Sequence, residues 1–299
     1  MISLGIESTA HTFGIGIVNE SGDVLANVRD MFKPDLGKGF TPYDLAEHHF
    51  NISNKVLANA LKESNLKIED VDVIAFSQGM GIPNSLKVGA TLARYLALKY
   101  KKPLIGVNHG VAHIEIGKLE TDAKDPVIVY LSGGNSQILA YVDGKYRVFG
   151  ETQDIPVGNA LDVLAREMGL PMPGGPEIEN LAKSGGFIDL PYVVKGMDIS
   201  FTGILTASTE RFREGASKED VSYSVQEVCF SMLTEVTERA LAHTNKNEVL
   251  LVGGVAANKR LQEMMKVMCG ERNAKFYVVP QESSGDNGFM ISWVGILAY

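Results

Sequence analysis

The sequence predicts an α/β protein built from two similar halves, on the strength of a repeated strand pattern and of the helix–strand alternation that follows each copy. Residues 2–6 (ISLGI) and 13–18 (FGIGIV) read as strands around the polar turn ESTAHT, and the SGD turn at 21–23 leads into a third strand, VLANV. The same order of strand, turn, strand, turn, strand returns at VIVYL (127–131), SGGNS, QILAYV (137–142), the Asp143-Gly144 turn and KYRVFG. Glu7 and Ser132 then occupy equivalent turns, which is the signature of a duplicated unit.

The elements after each unit alternate. A helical pattern runs from Thr41 to Asn65, followed by the strand VDVIAFS (71–77), a Gly-rich turn, a helix from Ser85 to Tyr100 and the strand PLIGV. After the second unit, GNALDVLAREMGL reads as a helix stopped by Pro171, and MPGGPEIENLAKSGG as a Gly/Pro loop opening another helix. A long helix spans Lys218 to Thr244. The buried strand EVLLVGG (248–254), a helix from Ala256 to Cys269, the strand KFYVV and a last helix from Gly288 complete the chain. No flexible linker separates the halves, so they are expected to pack around a shared cleft.

The 299 residues are 45% hydrophobic, enough for roughly two domains of about 150 residues. The balance of 28 Lys+Arg against 36 Asp+Glu gives a net charge of −8, which argues against a surface that grips nucleic acid by charge alone. Two cysteines, Cys229 and Cys269, are too few for a disulfide framework or a Cys-based zinc site, so a reducing cytoplasm is expected. The N-terminus lacks the basic region of a secretory signal, and the longest apolar runs fall short of the ~20 residues that a bilayer span needs.

Five motifs can carry chemistry, and each has a plainer reading. In NHGVAHIEIG, His109 and His113 stand four apart after a strand, with Asn108 placed to cap the helix; this spacing suits two imidazoles on one metal ion, but also arises by chance. Gly110 follows the first histidine where a metallopeptidase needs its glutamate base, so that chemistry is disfavoured. His48, His49 and His243 read as surface or capping residues. In YLSGGNSQ, Gly133 and Gly134 either let backbone N–H groups approach a phosphate or form an ordinary hairpin turn. LLVGGVAANKRL is a strand–Gly–helix junction with Asn258 in the first turns of the helix, suited to a nucleotide or simply to close packing. In SSGDNG, Asp286 either caps the last helix or adds an oxygen ligand to the histidine pair. From Asp162 through PGGPEIE, Gly175 and Glu179 lie at a loop-to-helix junction, where carboxylates accept from ribose hydroxyls or favour a helix N-terminus.

In this order the segments GIESTAHTFGIGIV, FSQG, NHGVAHIEIG, VYLSGGNSQ, GNALDVLAREMGL, PGGPEIENLA, ISFTGILTA, GGVAAN and SGDNGFMISW resemble the universal tRNA threonylcarbamoyltransferase family, from Met1 to Tyr299. Within that family they most resemble the branch of the archaeal and eukaryotic catalytic subunit of the KEOPS complex. The resemblance implies two duplicated actin-like, Hsp70-like lobes: residues 1–120 completed by the helix 288–299, and residues 121–287 with a helical insertion at about 150–245. It implies metal ligation by His109, His113 and Asp286 with a phenolate oxygen from Tyr130, a donor set that suits iron first and zinc as the alternative. Ser132, Gly133 and Gly134 match contacts to the phosphate of a bound ATP or threonylcarbamoyl-AMP, and Asp162, Gly175, Glu179 and Asn258 match contacts to its nucleoside. The implied reaction moves a threonylcarbamoyl group from threonylcarbamoyl-AMP to the exocyclic amine of the anticodon-adjacent adenosine in ANN-decoding tRNAs. The implied partners are tRNA, an atypical kinase and a small dimer-forming subunit, with no membrane.

Two features depart from the family. Met80 and Ile82 replace a Pro-rich continuation after FSQG, and the chain stops at Tyr299, short of the usual basic tail, as one domain of a kinase fusion would. The competing expectation is an actin- or Hsp70-like nucleotide switch without transferase activity, which has no use for His109 and His113 because its Mg²⁺ is held by phosphates and water.

Overall fold

A computed structural model describes residues 1–34 and 40–299. In chain order the elements are β1 (Ile2–Glu7), β2 (Thr12–Asn19), β3 (Val24–Met31), α1 (Pro42–Ser64), β4 (Val73–Gly79), α2 (Pro83–Tyr100), β5 (Leu104–Asn108) and α3 (His109–Leu119). There follow β6 (Val127–Leu131), β7 (Ser136–Val142), β8 (Lys145–Glu151), α4 (Val157–Glu167), α5 (Gly174–Ala182), the short strands β9 (Val194–Lys195) and β10 (Asp198–Ile199), α6 (Thr202–Arg213) and α7 (Lys218–Thr244). The chain ends with β11 (Glu248–Val252), α8 (Lys259–Glu271), β12 (Lys275–Val278), the single turn α9 (Gln281–Ser284) and α10 (Gly288–Ala298). Of the described residues, 1–34, 40–119 and 285–299 form one compact unit and 120–284 a second.

The duplication is explicit in the sheets. The first is ordered β3-β2-β1-β4-β5 and the second β8-β7-β6-β11-β12. In each, the first three strands form an antiparallel meander and the last two join in parallel beside the first strand. The second unit differs by carrying α4–α7 and the β9–β10 pair between its third and fourth strands, where the first unit has α1.

Alternation along the strands of the first unit separates bulk from smallness. Leu4, Ile6, Phe13, Ile15, Ile17, Ile74 and Phe76 enter one core with Val56 and Ala60 of α1 and Ala93 and Leu96 of α2. Ser3, Gly5, Gly14, Gly16 and Ala75 meet α10 instead. The approach there is backbone to backbone: a Cβ built on Gly16 would lie 2.2 Å from the Phe289 nitrogen, and one on Gly5 2.2 Å from that of Ser292. Only glycine permits this. Ser292 Oγ adds a hydrogen bond to the Ser3 carbonyl at 2.8 Å. The apolar α10 is thus a core helix, and no helix among the described residues is long and apolar enough to cross a membrane.

Local signals set the helix ends. Thr41 and Asp44 form a reciprocal capping box, Pro42 opens α1, and Asn65 closes it in the left-handed region at φ 55°. Helix α2 starts at Pro83, two residues before the expected Ser85, because proline is preset for the first helical position. The last strand of the EVLLVGG motif ends at Val252, since Gly253 turns away at φ 92° against the Leu131 carbonyl. The helix expected from Ala256 begins at Lys259 after a tight turn over residues 254–257, with the Asn258 side chain accepting from Leu261 N at 3.1 Å. Asn258 is therefore the cap and not a residue of the first turns.

His48 and His49 are more than surface residues. His49 is fully buried against Phe13, and its Nε2 donates to the Ala10 carbonyl at 2.9 Å. Its Nδ1 then accepts from His48 Nδ1 at 3.1 Å, while His48 Nε2 stands 3.0 Å from Asp30 Oδ1. Burial first, then the neighbouring His48, pushes the His49 imidazole down to about 4.

Two outcomes are expected. Gly16→Ala forces α10 off the sheet and lowers the unfolding free energy by about 1–3 kcal/mol, the usual cost of overpacking; an unchanged urea midpoint would show that the close approach is dispensable. His49 binds its proton more readily in the unfolded chain, so its stabilising contribution is complete above about pH 6.5 and is lost as the pH falls toward about 4. The stability gap between wild type and His49→Gln should narrow over that window in urea titrations, and a constant gap would contradict the assignment.

Candidate functional site

The site is built where β5 runs directly into α3. Asn108 Oδ1 accepts from Val111 N at 3.1 Å, capping the helix as its place in the sequence predicts. The i, i+4 spacing then sets His109 and His113 on one face, both buried, with ring planes nearly perpendicular and centroids 4.7 Å apart. Asp286 arrives from the loop before α10. The two readings of SSGDNG resolve here, because the cap of α10 is Asn287, whose Oδ1 accepts from Met290 N at 3.0 Å. The Asp286 carboxylate is left to the histidines: its Oδ1 lies 3.4 Å from His109 Nε2 and 3.3 Å from His113 Nε2. Arg29 Nη1 donates to the Asp286 carbonyl at 3.3 Å.

A residue outside the expected ligand set completes the arrangement. Glu7, fully buried at the end of β1, stands 3.0 Å from His109 Nδ1, while its other oxygen accepts from the backbone N–H and the hydroxyl of Thr9. This carboxylate fixes the ring with Nε2 toward Asp286. Its one trace in the sequence is that Glu7 opens the polar turn of the first strand unit.

The electrostatics follow from these neighbours. Burial pushes the His109 pKa down, but the carboxylates of Glu7 and Asp286 outweigh it and hold the imidazole well above its ordinary range. For His113, burial prevails over the hydrogen bond to Asp286 and lowers the pKa. Burial would raise Asp286, and the two histidines hold it well below the usual carboxylate range instead.

Two imidazole nitrogens and a carboxylate oxygen, all within 4.8 Å of one another, can hold a metal ion. The donor chemistry fits: nitrogen donors with one oxygen suit a transition metal better than Mg²⁺, and the outer carboxylate on His109 is the usual support of a ligating histidine.

The remaining expected residues belong to the second unit. Tyr130 is buried at the end of β6, and its hydroxyl accepts from Asn135 Nδ2 at 3.3 Å. Ser132 Oγ closes the following turn by accepting from Gly134 N and Asn135 N, so the Gly134 N–H is already engaged. Gly133, Gly134 and Gly175 face open space. Asp162 Oδ1 accepts from Gly174 N at 2.7 Å, and Glu179 Oε1 from Lys259 N at 2.7 Å, beside Asn258. The structure thus brings Glu179 and Asn258 together and holds Asp162 against the start of α5.

Residues 23–293 match the family described as TsaD: tRNA N6-adenosine threonylcarbamoyltransferase. The chain belongs to the TsaD family. Over its whole length it is 56% identical to a probable bifunctional tRNA threonylcarbamoyladenosine biosynthesis protein of Methanocaldococcus jannaschii, of which it covers 56%. It is 52% identical to the tRNA N6-adenosine threonylcarbamoyltransferase of Methanopyrus kandleri, of which it covers 88%. The chain therefore spans about half of the bifunctional relative and most of the other. Among solved structures, the activator of the 2-hydroxyisocaproyl-CoA dehydratase from Clostridium difficile aligns over the full chain and 95% of its own, with a TM-score of 0.61 at 13% identity. That likeness shows the fold, two α/β lobes of the actin- and Hsp70-like kind.

Elemental analysis of TsaD-family protein purified from this sequence should find a transition metal that His113→Ala abolishes. Glu7→Gln should weaken the metal about 10–100-fold in chelator competition. Full metal content in His113→Ala would remove the cluster as the binding site.

Proposed function

We propose that this chain transfers a threonylcarbamoyl group from threonylcarbamoyl-AMP to the N6 amine of the anticodon-adjacent adenosine in ANN-decoding tRNAs. The observation that carries the reading is the buried His109–His113–Asp286 set backed by Glu7, in a chain matching the TsaD family over residues 23–293. The amine nitrogen attacks the carbamoyl carbonyl carbon, the new C–N bond forms, the bond from that carbon to the phosphate oxygen breaks, AMP leaves and the amine loses a proton. His109, His113 and Asp286 would hold a metal ion, iron first and zinc as the alternative, which would supply Lewis-acid polarisation of the donor. The place of Tyr130 as a further, phenolate donor rests on the family resemblance alone.

No covalent relay is needed. Both cysteines are buried, and burial pushes the Cys229 thiol far up and that of Cys269 to about 11, which leaves neither as a thiolate nucleophile. The adenylate is assigned to the second unit, its phosphate at Ser132, Gly133 and Gly134 and its nucleoside at Asp162, Gly175, Glu179 and Asn258. The open space over Gly133, Gly134 and Gly175 supports that assignment, since a Cβ meets nothing there.

The tRNA needs help from partners. The chain is acidic, with a net charge of −8, and Arg260 is ion-paired to Glu227 and Glu263. We therefore assign the phosphate-binding surface chiefly to companion KEOPS subunits, including an atypical kinase and a small dimer-forming protein. The 56% coverage of the bifunctional relative supports a second activity joined to this one in some proteins.

Nucleoside analysis of tRNA after incubation with threonylcarbamoyl-AMP tests the reading. Transfer should be slow with the chain alone, rise at least tenfold with the partners, and vanish in the His109→Ala/His113→Ala double variant with the partners present. Undiminished transfer by that variant would sink the proposal.

A further inference from the structure

The start of α8 is held by three residues from two other helices of the second unit, and one of them has no place in the chemistry proposed above. Glu179 of α5 accepts from Lys259 N at 2.7 Å, and Glu227 of α7 grips Arg260 through both oxygens at 2.7 and 2.8 Å. Gln226, the residue before Glu227, meets Asn258: its Oε1 accepts from Asn258 Nδ2 at 2.9 Å in a buried contact.

One backbone group fixes the orientation of both amides. Leu261 N can only donate, so the Asn258 atom that faces it at 3.1 Å is Oδ1. The other end of that amide is then Nδ2, which also only donates, and Gln226 must turn Oε1 toward it. Held at both ends, the Asn258 amide keeps one N–H that no bond among the described residues uses. Glu179 Oε2 makes no hydrogen bond among the described residues either. A donor and an acceptor therefore stand together at the start of α8, a pairing that the hydroxyls of a nucleoside, which both give and take hydrogen bonds, can meet.

Neither packing nor capping calls for this glutamine. Gln226 is 5% exposed and shares its stretch of α7 with the buried Val225, Cys229 and Phe230, a setting where an apolar side chain packs at no polar cost. The charged tie of Glu227 to Arg260 already joins α7 to α8 next to it. Aspartate would cap α8 as well as asparagine and suit the helix dipole better, but it carries no donor. What the amide pair adds is an N–H held in one direction.

We infer that Gln226 is a positioning residue for the donor nucleotide: it holds the Asn258 amide so that the unused N–H is offered to the nucleoside beside the Glu179 carboxylate. The inference rests on the assignment of the nucleoside to Glu179 and Asn258 made above.

Calorimetric titration of the full chain with AMP reads this contact without any need for transfer. Gln226→Met, close to glutamine in length, removes the acceptor, and Asn258→Ser keeps the cap while removing the amide nitrogen. Each should weaken AMP binding about five- to tenfold, the usual worth of one hydrogen bond. The double variant should bind no more weakly than Asn258→Ser, since Gln226 then has nothing left to hold. A glutamine that merely ties two helices would add its loss to that of Asn258→Ser instead. In the transfer assay with the partners present, Gln226→Met should raise KM for threonylcarbamoyl-AMP by the same factor and leave kcat within about twofold of wild type. If Asn258→Ser weakens AMP while Gln226→Met binds it like wild type, or if the two losses multiply in the double variant, the positioning role is overturned. Binding of wild-type strength in Asn258→Ser overturns the nucleoside assignment and the role with it. Protein that shows the expected binding pattern yet transfers nothing would fault the transferase reading and leave the role standing. Should Gln226→Met fall short of the wild-type urea midpoint, Gln226→Asn, which keeps the polar group and withdraws the acceptor by one methylene, takes its place with the same outcomes.

Discussion

The first unit depends on the contact of α10 with the backbones of β1 and β2. At Gly5 and Gly16 on the strands and Gly288 on the helix no side chain stands between the two layers, and the helix settles at a distance that a Cβ at those positions would prevent. The other face of the same strands carries Leu4, Ile6, Phe13, Ile15 and Ile17 into the core under α1 and α2. One face is thus filled by side chains and the other by a helix seated on bare backbone. Asp286, two residues before Gly288, is delivered to His109 and His113 by that seating.

The side-chain cluster so formed has a charge pattern that makes sense only as a set. Glu7 and Asp286 lie on either side of His109, and none of the three is well placed to be solvated by water. A buried carboxylate costs several kcal/mol unless its charge is met, and removing one member strands the others. Without an ion, a proton held at His109 offsets one of the two carboxylate charges; a cation at the same nitrogen would displace that proton, which would couple metal binding to proton release.

The duplicated strand units, the helix between Thr41 and Asn65, the cap at Asn108 and the His109–His113 spacing were legible in the sequence because each is a local pattern with a local cause. The glycine face under α10 was not, since Gly5, Gly14 and Gly16 look like ordinary strand glycines until the helix that covers them is known to come from the far end of the chain. Glu7 was missed as the support of His109 for the same reason, the two being joined across more than a hundred residues. His49 read as a surface or capping residue although it shares its helix face with Leu45, Ser53 and Val56, and only the fold reveals that this face is closed by Phe13 and the Ala10 carbonyl. Asp286 and Asn287 show the opposite difficulty: two adjacent residues both able to cap a helix, of which the backbone geometry selects one.

The first unit is discontinuous, and its final piece, residues 285–299, is made after the whole of the second. On the ribosome, strands β1 to β5 emerge early with their glycine face bare, and that face stays uncovered while some 165 further residues are translated and folded. Asp286 and the helix that seats it emerge together, so a prematurely terminated chain lacks both the lid of the first sheet and an oxygen donor of the cluster. Because Asp286 and α10 are contiguous, the covering of the glycine face and the arrival of the carboxylate at His109 and His113 are one event in the chain's synthesis.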